Sequence, residues 1–343
     1  MKLKIIIAIL IGLACAFISV VYLNRFEESR EVYSHISQNY KKEIKDNLPK
    51  DHSLIVQQNA LWKYINKNIN IFQSEFGEPD RKDPSLYGYE WWIYNNKDFY
   101  FQVAVQNATI ISFYTNSPNL DVLPLIIGQG VDELQSAYTF TNTFEVDNLR
   151  FKLSEQDIKE RPLIRLSDQI FAQLYIDQFS ETLAGIRIMN KNVLELLKPY
   201  ELFYWGELNE VDNFIEDTKV EASIEKQIFD LTNEIRGMYN LNDLAWDEQA
   251  AIAAKAHSKD MKTESYFSHY SLNGDGLKER LIAAQANYFS AGENIAAHYI
   301  DAPAVIHGWL NSSGHREAIL KKEYTHLGVG VYQSYYTQNF IDK

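Results

Sequence analysis

A long uncharged apolar run near the N-terminus constrains this chain more than any other feature. Residues 5–23 contain no charged side chain, and Lys2 and Lys4 precede them. At a helical rise of about 1.5 Å per residue, such a run reaches about 28 Å, close to the thickness of the hydrocarbon core of a bilayer. The run therefore predicts a membrane anchor over residues 1–23. Lysines on its short side favour a single-pass protein in the cell membrane with the bulk of the chain extracellular.

An alternative interpretation is a cleaved signal peptide, which would leave a secreted protein. Ala14-Cys15-Ala16 offers a cleavage site of small residues, although the apolar run continues beyond it. A lipid on Cys15 is a third alternative, which Gly12 disfavours because a lipobox usually has leucine at that position. Cys15 is the single cysteine, so neither an intramolecular disulfide nor a thiolate zinc site can form. Each interpretation predicts export.

Composition narrows the class of protein further. The 343 residues are 46% hydrophobic, enough to bury sizeable cores, and this length suits two domains. The net charge of −13 argues against a nucleic-acid partner, because phosphate neutralisation needs a concentrated positive face. Export also argues against a nucleotide cofactor, since nucleotides are scarce outside the cell.

Changes in composition along the chain predict four regions: an anchor over 1–23, a charged stalk over 24–56, a domain over 57–205 and a second domain over 222–343. In the first domain, a helix that ends at Gly77 precedes a predicted three-stranded meander over 87–115. A weaker second copy of this order leaves an internal duplication open. The aromatic stretch 87–94 is interpreted as sheet core, with a stacking platform for a sugar or an aromatic ligand as the alternative.

The second domain mixes helices with a hairpin. Apolar residues recur at helical spacing over 224–235, Asp247 is a plausible cap for a helix to about Lys262, and further helices are predicted over 276–286 and 302–310. Residues 327–340 are typical of a tight β-hairpin. Both domains are therefore predicted to be α+β, the first built on antiparallel meanders.

Motifs in the second domain carry a resemblance. They follow one another in this order: Ala256-His257-Ser258-Lys259-Asp260-Met261, Tyr266-Phe267-Ser268-His269, Gly292-Glu293-Asn294-Ile295-Ala296, Trp309-Leu310-Asn311-Ser312-Ser313-Gly314-His315-Arg316, and Leu327-Gly328-Val329-Gly330-Val331 with Thr337-Gln338-Asn339-Phe340. This series resembles the CAP superfamily (cysteine-rich secretory proteins, antigen 5 and pathogenesis-related 1), also called SCP, in its bacterial cysteine-free branch. The resemblance implies an α-β-α sandwich.

The first domain carries a second resemblance, to the CAP-associated N-terminal domain of Firmicute envelope proteins. The residues that support it are Gly77-Glu78-Pro79, Tyr87-Gly88-Tyr89-Glu90-Trp91-Trp92-Ile93-Tyr94 and Ile127-Gly128-Gln129.

The resemblance to the CAP superfamily implies a ligand cleft. The family's two cleft histidines and first acid fall on His269, His315 and Glu293, with Asn294 and Ser312 beside them. Two imidazoles and one carboxylate suffice for an open zinc site, or one for another divalent metal. The same three side chains could instead act as a general base with its orienting partner. Ser312 occupies the position of the family's second acid, which weakens a caged metal, and Asn294 has the alternative role of bridging backbone groups.

Two main functions follow as hypotheses. The first is a non-catalytic binding module whose cleft holds a metal ion, a small envelope ligand such as a lipid or glycan fragment, or both. The second is a hydrolase, a protease or cell-wall lytic enzyme, in which the cleft activates water directly or through zinc. A purely structural spacer is the third alternative, so whether the chain is an enzyme stays open. The remaining C-terminal histidines are predicted to be structural: His257, His298, His307 and His326.

Overall fold

The computed structural model describes residues 60–96, 99–120, 122–208 and 217–343, which form two packed α+β domains. The predicted anchor and stalk lie outside these residues. Within them, no helix combines the length and apolar character needed to cross a bilayer.

The N-terminal domain is built around one large antiparallel sheet. Its described strands and helices, after a 3₁₀ turn at Leu61–Tyr64, are α1 Ile69–Phe76, β1 Arg81–Pro84, β2 Glu90–Asn95, β3 Tyr100–Gln106, β4 Thr109–Thr115, α2 Val131–Ala137, β5 Thr143–Val146, β6 Leu149–Lys152, α3 Glu155–Glu160, β7 Leu163–Ser167, β8 Ile170–Asp177, β9 Thr182–Asn190, α4 Lys191–Leu197 and β10 Glu201–Tyr204. In this described part, the order β1-β2-β3-β4-β9-β8-β7 makes a seven-stranded sheet, and β10, β6 and β5 make a small second one.

The two halves of this domain share the large sheet, because β4 pairs with β9. The predicted meander over 87–115 is confirmed as β2, β3 and β4. Its aromatic stretch belongs to the core: Tyr89, Trp91 and Tyr94 are each 3% exposed. One face of the sheet packs on α1 through Phe72, and the other faces the C-terminal domain. The stacking-platform alternative therefore fails for lack of an exposed ring face.

The C-terminal domain is an α-β-α sandwich, as predicted. Its elements are α5 Thr218–Met238, β11 Ala245–Trp246, α6 Glu248–Thr263, α7 Leu277–Ala283, β12 Ser290–Ala297, α8 Ala302–Leu310, α9 Ser313–Leu320, β13 His326–Tyr332 and β14 Tyr335–Asp342. The sheet order is β11-β13-β14-β12. The predicted hairpin is confirmed as β13 and β14. The strand β12 and the short helix α9 were not predicted, because neither shows a regular apolar repeat.

Helices cover both faces of this sheet for reasons visible in the sequence. On one face, Gly328 and Gly330 alternate with larger residues, and a Cβ at either glycine would collide with the backbone of α6. This close approach explains the Gly-Val-Gly motif. Asp247 caps α6 as predicted, its Oδ1 accepting from Ala250 N at 2.7 Å. On the other face, α5 and α8 share a hydrophobic core with the N-terminal sheet, so the two domains are packed on each other through apolar side chains.

Candidate functional site

A cleft of about 790 Å³ opens in the C-terminal domain. Five segments form it: the turn after α6, the end of β12, the loop that follows β12, the α8–α9 corner and the start of β14. Apolar and aromatic side chains make up most of its walls, namely Phe267, Tyr270, Ile295, Ala296, Ala297, Tyr299, Trp309 and Tyr335. The polar side chains that line it include His269, Ser312 and His315. The fold thus brings together three of the five predicted cleft residues in its lining.

His269 lies in the turn over 265–272, which two hydrogen bonds hold in place. His257 Nε2 donates to the carbonyl of Ser268 at 3.0 Å, and Arg280 Nη1 donates to the carbonyl of His269 at 3.0 Å. The His269 ring is half exposed, and its Nδ1 donates to Glu293 Oε1 at 2.9 Å. This bond fixes the ring orientation and leaves Nε2 for a ligand.

Glu293 lies on β12 opposite Asn339, with its side chain only 3% exposed. Its second carboxylate oxygen, Oε2, accepts from Arg280 Nη2 at 2.6 Å. Both oxygens are therefore engaged, one by an imidazole and one by a guanidinium. The carboxylate is thus held between two donors and does not itself line the cleft.

The sequence did not predict the contact of Arg280 with Glu293. Arg280 lies on α7, and its spacing from the motif residues gives no indication that it reaches β12. Only the packing of α7 against the sheet edge reveals the contact, so no sequence signal was available to find it.

His315 lies in the first turn of α9 and is partly buried. Burial lowers the pKa of this imidazole, and the nearby His269 lowers it further. His315 is therefore neutral at neutral pH. Among the residues that the structure describes, its ring has no hydrogen-bond partner, so a ligand can accept or donate there.

The other two predicted cleft residues differ in placement. Asn294 is fully buried, and its Nδ2 donates to the His315 carbonyl and to Gln338 Oε1, both at 3.1 Å. It therefore holds α9 against β12 and β14, which is the bridging alternative. Ser312 lines the cleft at the start of α9 and makes no capping hydrogen bond with its hydroxyl.

The histidines predicted to be structural divide as well. His257 is 1% exposed, and burial lowers its pKa. His307 is packed between the domains, and His326 bonds to Thr325 Oγ1 at 2.8 Å. His298 is placed differently, because it is exposed and lines the cleft, so its structural role stays a prediction. Its loop position, outside every motif, hid this placement.

The arrangement does not fit a three-ligand zinc site. Both Glu293 oxygens already accept from His269 and Arg280. Within the described ranges, no three His, Cys, Asp or Glu side chains group closely enough to hold a metal ion. Zinc or another divalent ion on His269, Glu293 and His315 thus stays a prediction from the sequence, with the two imidazoles as the donors that remain open.

Comparison with known proteins identifies the family of each domain. Residues 65–200 match the CAP-associated N-terminal family, and residues 229–341 match the cysteine-rich secretory protein family. The membrane protein YlbC of Bacillus subtilis (strain 168) is 40% identical over 291 residues, which are 83% of this chain and 84% of YlbC.

Two solved structures are also similar. An extracellular protein with an SCP domain from Bacillus anthracis (strain Ames) shares 37% identity, with a TM-score of 0.79 over 87% of this chain and 98% of that protein. A cysteine-rich secretory protein from Staphylococcus aureus (Mu50) shares 26% identity, with a TM-score of 0.74 over 83% of this chain and 94% of its own. Both resemblances drawn from the sequence motifs are thereby confirmed. The chain belongs to the cysteine-rich secretory protein (CAP) family, with a CAP-associated N-terminal domain ahead of its CAP domain.

Proposed function

We propose that this chain is an exported, membrane-tethered binding module whose CAP cleft holds a small amphiphilic component of the cell envelope without catalysing a reaction. The apolar run over 5–23 supports the tether, as does the similarity to a relative named as a membrane protein. Similarity to an extracellular SCP-domain protein supports exposure on the outer side of the membrane.

The composition of the cleft walls carries the proposal. A volume of about 790 Å³ lies within the range of small-molecule sites, about 300–1,000 Å³. Aromatic and aliphatic side chains dominate these walls, and the imidazoles of His269, His298 and His315 supply polar groups. Such a cleft suits a molecule with an apolar body and one polar head group that bonds to His269 Nε2 and the His315 ring.

The state of Glu293 favours binding over hydrolysis. General-base catalysis needs a basic group within reach of the proton that it removes. The Glu293 carboxylate is paired with Arg280 and reaches the cleft through His269. The result is a fixed hydrogen-bonded array of Arg280, Glu293 and His269 beside the cleft.

A secreted fragment that begins at residue 57 tests the proposal without detergent. Mass spectrometry of the purified fragment identifies co-purifying small molecules, and titration with the fluorescent fatty acid dansylundecanoate measures affinity. We expect His269→Ala/His315→Ala to weaken dansylundecanoate binding by about tenfold or more, equivalent to about 1.4 kcal/mol. His326→Ala, which removes an imidazole outside the cleft, is the control. Absence of both a co-purifying amphiphile and probe binding would contradict the proposal.

Zinc binding is measured in the same fragment by calorimetry. If the two imidazoles bind the ion, His269→Ala/His315→Ala abolishes zinc uptake and His326→Ala does not. Uptake that survives in the double variant would remove the predicted metal site.

One observation favours a hydrolase as the second candidate. The His315 ring lines the cleft with no hydrogen-bond partner among the described residues, and burial lowers its pKa, so the neutral ring can accept a proton there. The fragment is therefore incubated with peptidoglycan, casein and ester substrates, with and without zinc. Turnover that disappears in His315→Ala and persists in His326→Ala would support catalysis, and no turnover of any substrate would count against it.

A further inference from the structure

One continuous segment of the CAP domain, residues 299–316, forms a wall of the cleft. We call it the wall segment. It comprises α8, α9 as far as Arg316, and the residues just before α8. Tyr299, Trp309, Ser312 and His315 present its cleft face. The position of this segment therefore sets both the width of the cleft and the location of one of its imidazoles, that of His315.

The opposite face of the wall segment contacts the N-terminal domain, beginning with a buried ion pair. Arg187 on β9 is fully buried, and Asp301, which caps α8, is 4% exposed. Arg187 Nη2 lies 2.6 Å from Asp301 Oδ1 and 2.5 Å from Oδ2. Next to this pair, the hydroxyl of Tyr87 donates to the carbonyl of Ile300 at 3.0 Å. The start of the segment is thus fixed by the N-terminal sheet.

The middle of the segment inserts a side chain into that sheet. The His307 ring stacks on Tyr175 with 4.3 Å between centroids and 10° between planes. Its Nε2 shares a hydrogen bond of 2.8 Å with the Tyr114 hydroxyl. Gly185 on β9 leaves the space for the ring, because a Cβ there would lie 2.5 Å from His307 Nε2. The sheet therefore contains a notch shaped for one residue of the wall segment.

The end of the segment is held at the α8–α9 corner. The Asn311 side chain accepts from Gln178 N at 2.9 Å and donates to the carbonyl of Ile176 at 2.8 Å. Arg316 Nη2 donates to Asp177 Oδ2 at 2.9 Å, with both side chains buried. Asn311 and Arg316 flank the cleft residues Ser312 and His315 in sequence. The N-terminal domain therefore forms hydrogen bonds on both sides of the turn that carries Ser312 and His315.

We infer that the N-terminal domain is a positioning element of the CAP cleft: strands β8 and β9 hold the wall segment and so set where Trp309 and His315 stand. This inference deepens the proposed function and rests on it, because the position of the wall segment affects binding only if the cleft holds a ligand. The wall segment is densely packed on the N-terminal sheet, and a displacement of such an element moves the residues on its other face, which lines the cleft. Asp177, Arg187 and Tyr114 thereby act on the cleft without lining it.

Gly185→Ala in the full chain is the test, because it fills the notch and acts at a residue outside the cleft. Gly130→Ala is the matched control, since a Cβ there meets open space in the same domain. Hydrogen exchange by mass spectrometry reports the amides of 302–320, and diethylpyrocarbonate modification reports the accessibility of His315. We expect Gly185→Ala to accelerate exchange of these amides by about tenfold and to change the His315 modification rate severalfold. Gly130→Ala should leave both rates unchanged.

A second substitution sharpens this test. Removing the ring in Gly185→Ala/His307→Ala empties the notch for the new methyl group, so both rates should return toward those of the wild type. Wild-type rates in Gly185→Ala would overturn the inference. Should that variant fail to fold, Asn311→Ser replaces it, because it removes both corner hydrogen bonds and adds no bulk, with the same supporting and overturning results.

Neither readout needs a ligand, so the two proposals fail separately. Rates that change in a protein that binds no dansylundecanoate keep the positioning role and remove the proposed ligand class. Unchanged rates in a protein that binds the probe remove the positioning role alone.

Discussion

The two faces of the wall segment place similar side chains in opposite environments. On the interdomain face, Asp301, His307 and Arg316 are all buried, and each contacts a polar partner from the N-terminal domain. On the cleft face, the His315 ring has no hydrogen-bond partner among the described residues, and across the cleft the His269 ring is half exposed.

This difference separates structural from functional polar groups. A buried polar group must be paired, or its desolvation destabilises the fold, whereas a group kept for a ligand remains unpaired until the ligand binds. We therefore expect substitutions on the interdomain face to lower the free energy of unfolding. Substitutions of the unpaired polar groups on the cleft face should lower affinity and leave stability nearly unchanged.

The largest effect is expected for Asp301→Asn. It leaves the fully buried Arg187 without its counter-charge, which typically costs about 3–5 kcal/mol. Denaturant unfolding of the full chain measures the loss. Glu201→Gln, which breaks the exposed pair with Lys152, is the control and should cost less than about 1 kcal/mol. Equal losses in the two variants would erase the distinction between buried and exposed pairs.

The next effect is a dependence of stability on acid. Burial, with the nearby Arg187 charge, lowers the pKa of His307 to about 3 from 6.5. Between these values the unfolded chain binds a proton that the folded chain does not, so stability present at pH 7 is lost as the pH falls. At pH 4 this group alone accounts for a loss of about 3 kcal/mol.

His307→Gln isolates that contribution. Unfolding measured at pH 7, 5 and 4 should show a flatter acid dependence in the variant than in the wild type, whatever its stability at pH 7. Parallel curves for the two proteins would contradict a neutral buried His307.

A smaller effect of opposite sign is expected at α5, which packs between the domains. Burial, then Asp230 and Asp243, raise the pKa of Glu234 to about 7. The folded state therefore binds a proton that the unfolded state releases, and stability falls as the pH rises from about 4.5 through 7. After allowance for partial exposure, Glu234→Gln should gain about 1 kcal/mol at pH 8 and nothing at pH 4. The exposed Glu317→Gln serves as control, and a gain at both pH values would refute the assignment.

The smallest effect on stability is expected for His315→Ala, in spite of its place in the proposed site. Its ring is partly exposed and unpaired among the described residues, so the free energy of unfolding should change by less than about 0.5 kcal/mol. Thermal unfolding checks this, beside the binding assay for the same variant. A loss as large as that of Asp301→Asn would place His315 with the structural residues.

Local patterns predicted much of the fold. Helical spacing over 224–235, the Asp247 cap and the hairpin over 327–340 are all confirmed, because each depends on neighbours in sequence. The strand β12 and the helix α9 were not predicted, since their residues form contacts on several sides and show no simple period. The seven-stranded sheet in the described N-terminal residues depends on the β4–β9 pairing, which joins residues 71 to 77 positions apart and which no local pattern specifies.

The sequence by itself determined the family, the α+β class and two of the cleft imidazoles, His269 and His315, because motif residues and local periods can be read directly from the chain. Tertiary structure alone decided that Arg280 donates to the Glu293 carboxylate and that Asn294 is buried and bonds to the His315 carbonyl. It also decided that the His307 ring packs against Gly185. These contacts join residues that are distant in sequence or lie on different elements. These contacts depend on how the sheets and helices pack, so the identities of the side chains alone did not predict them.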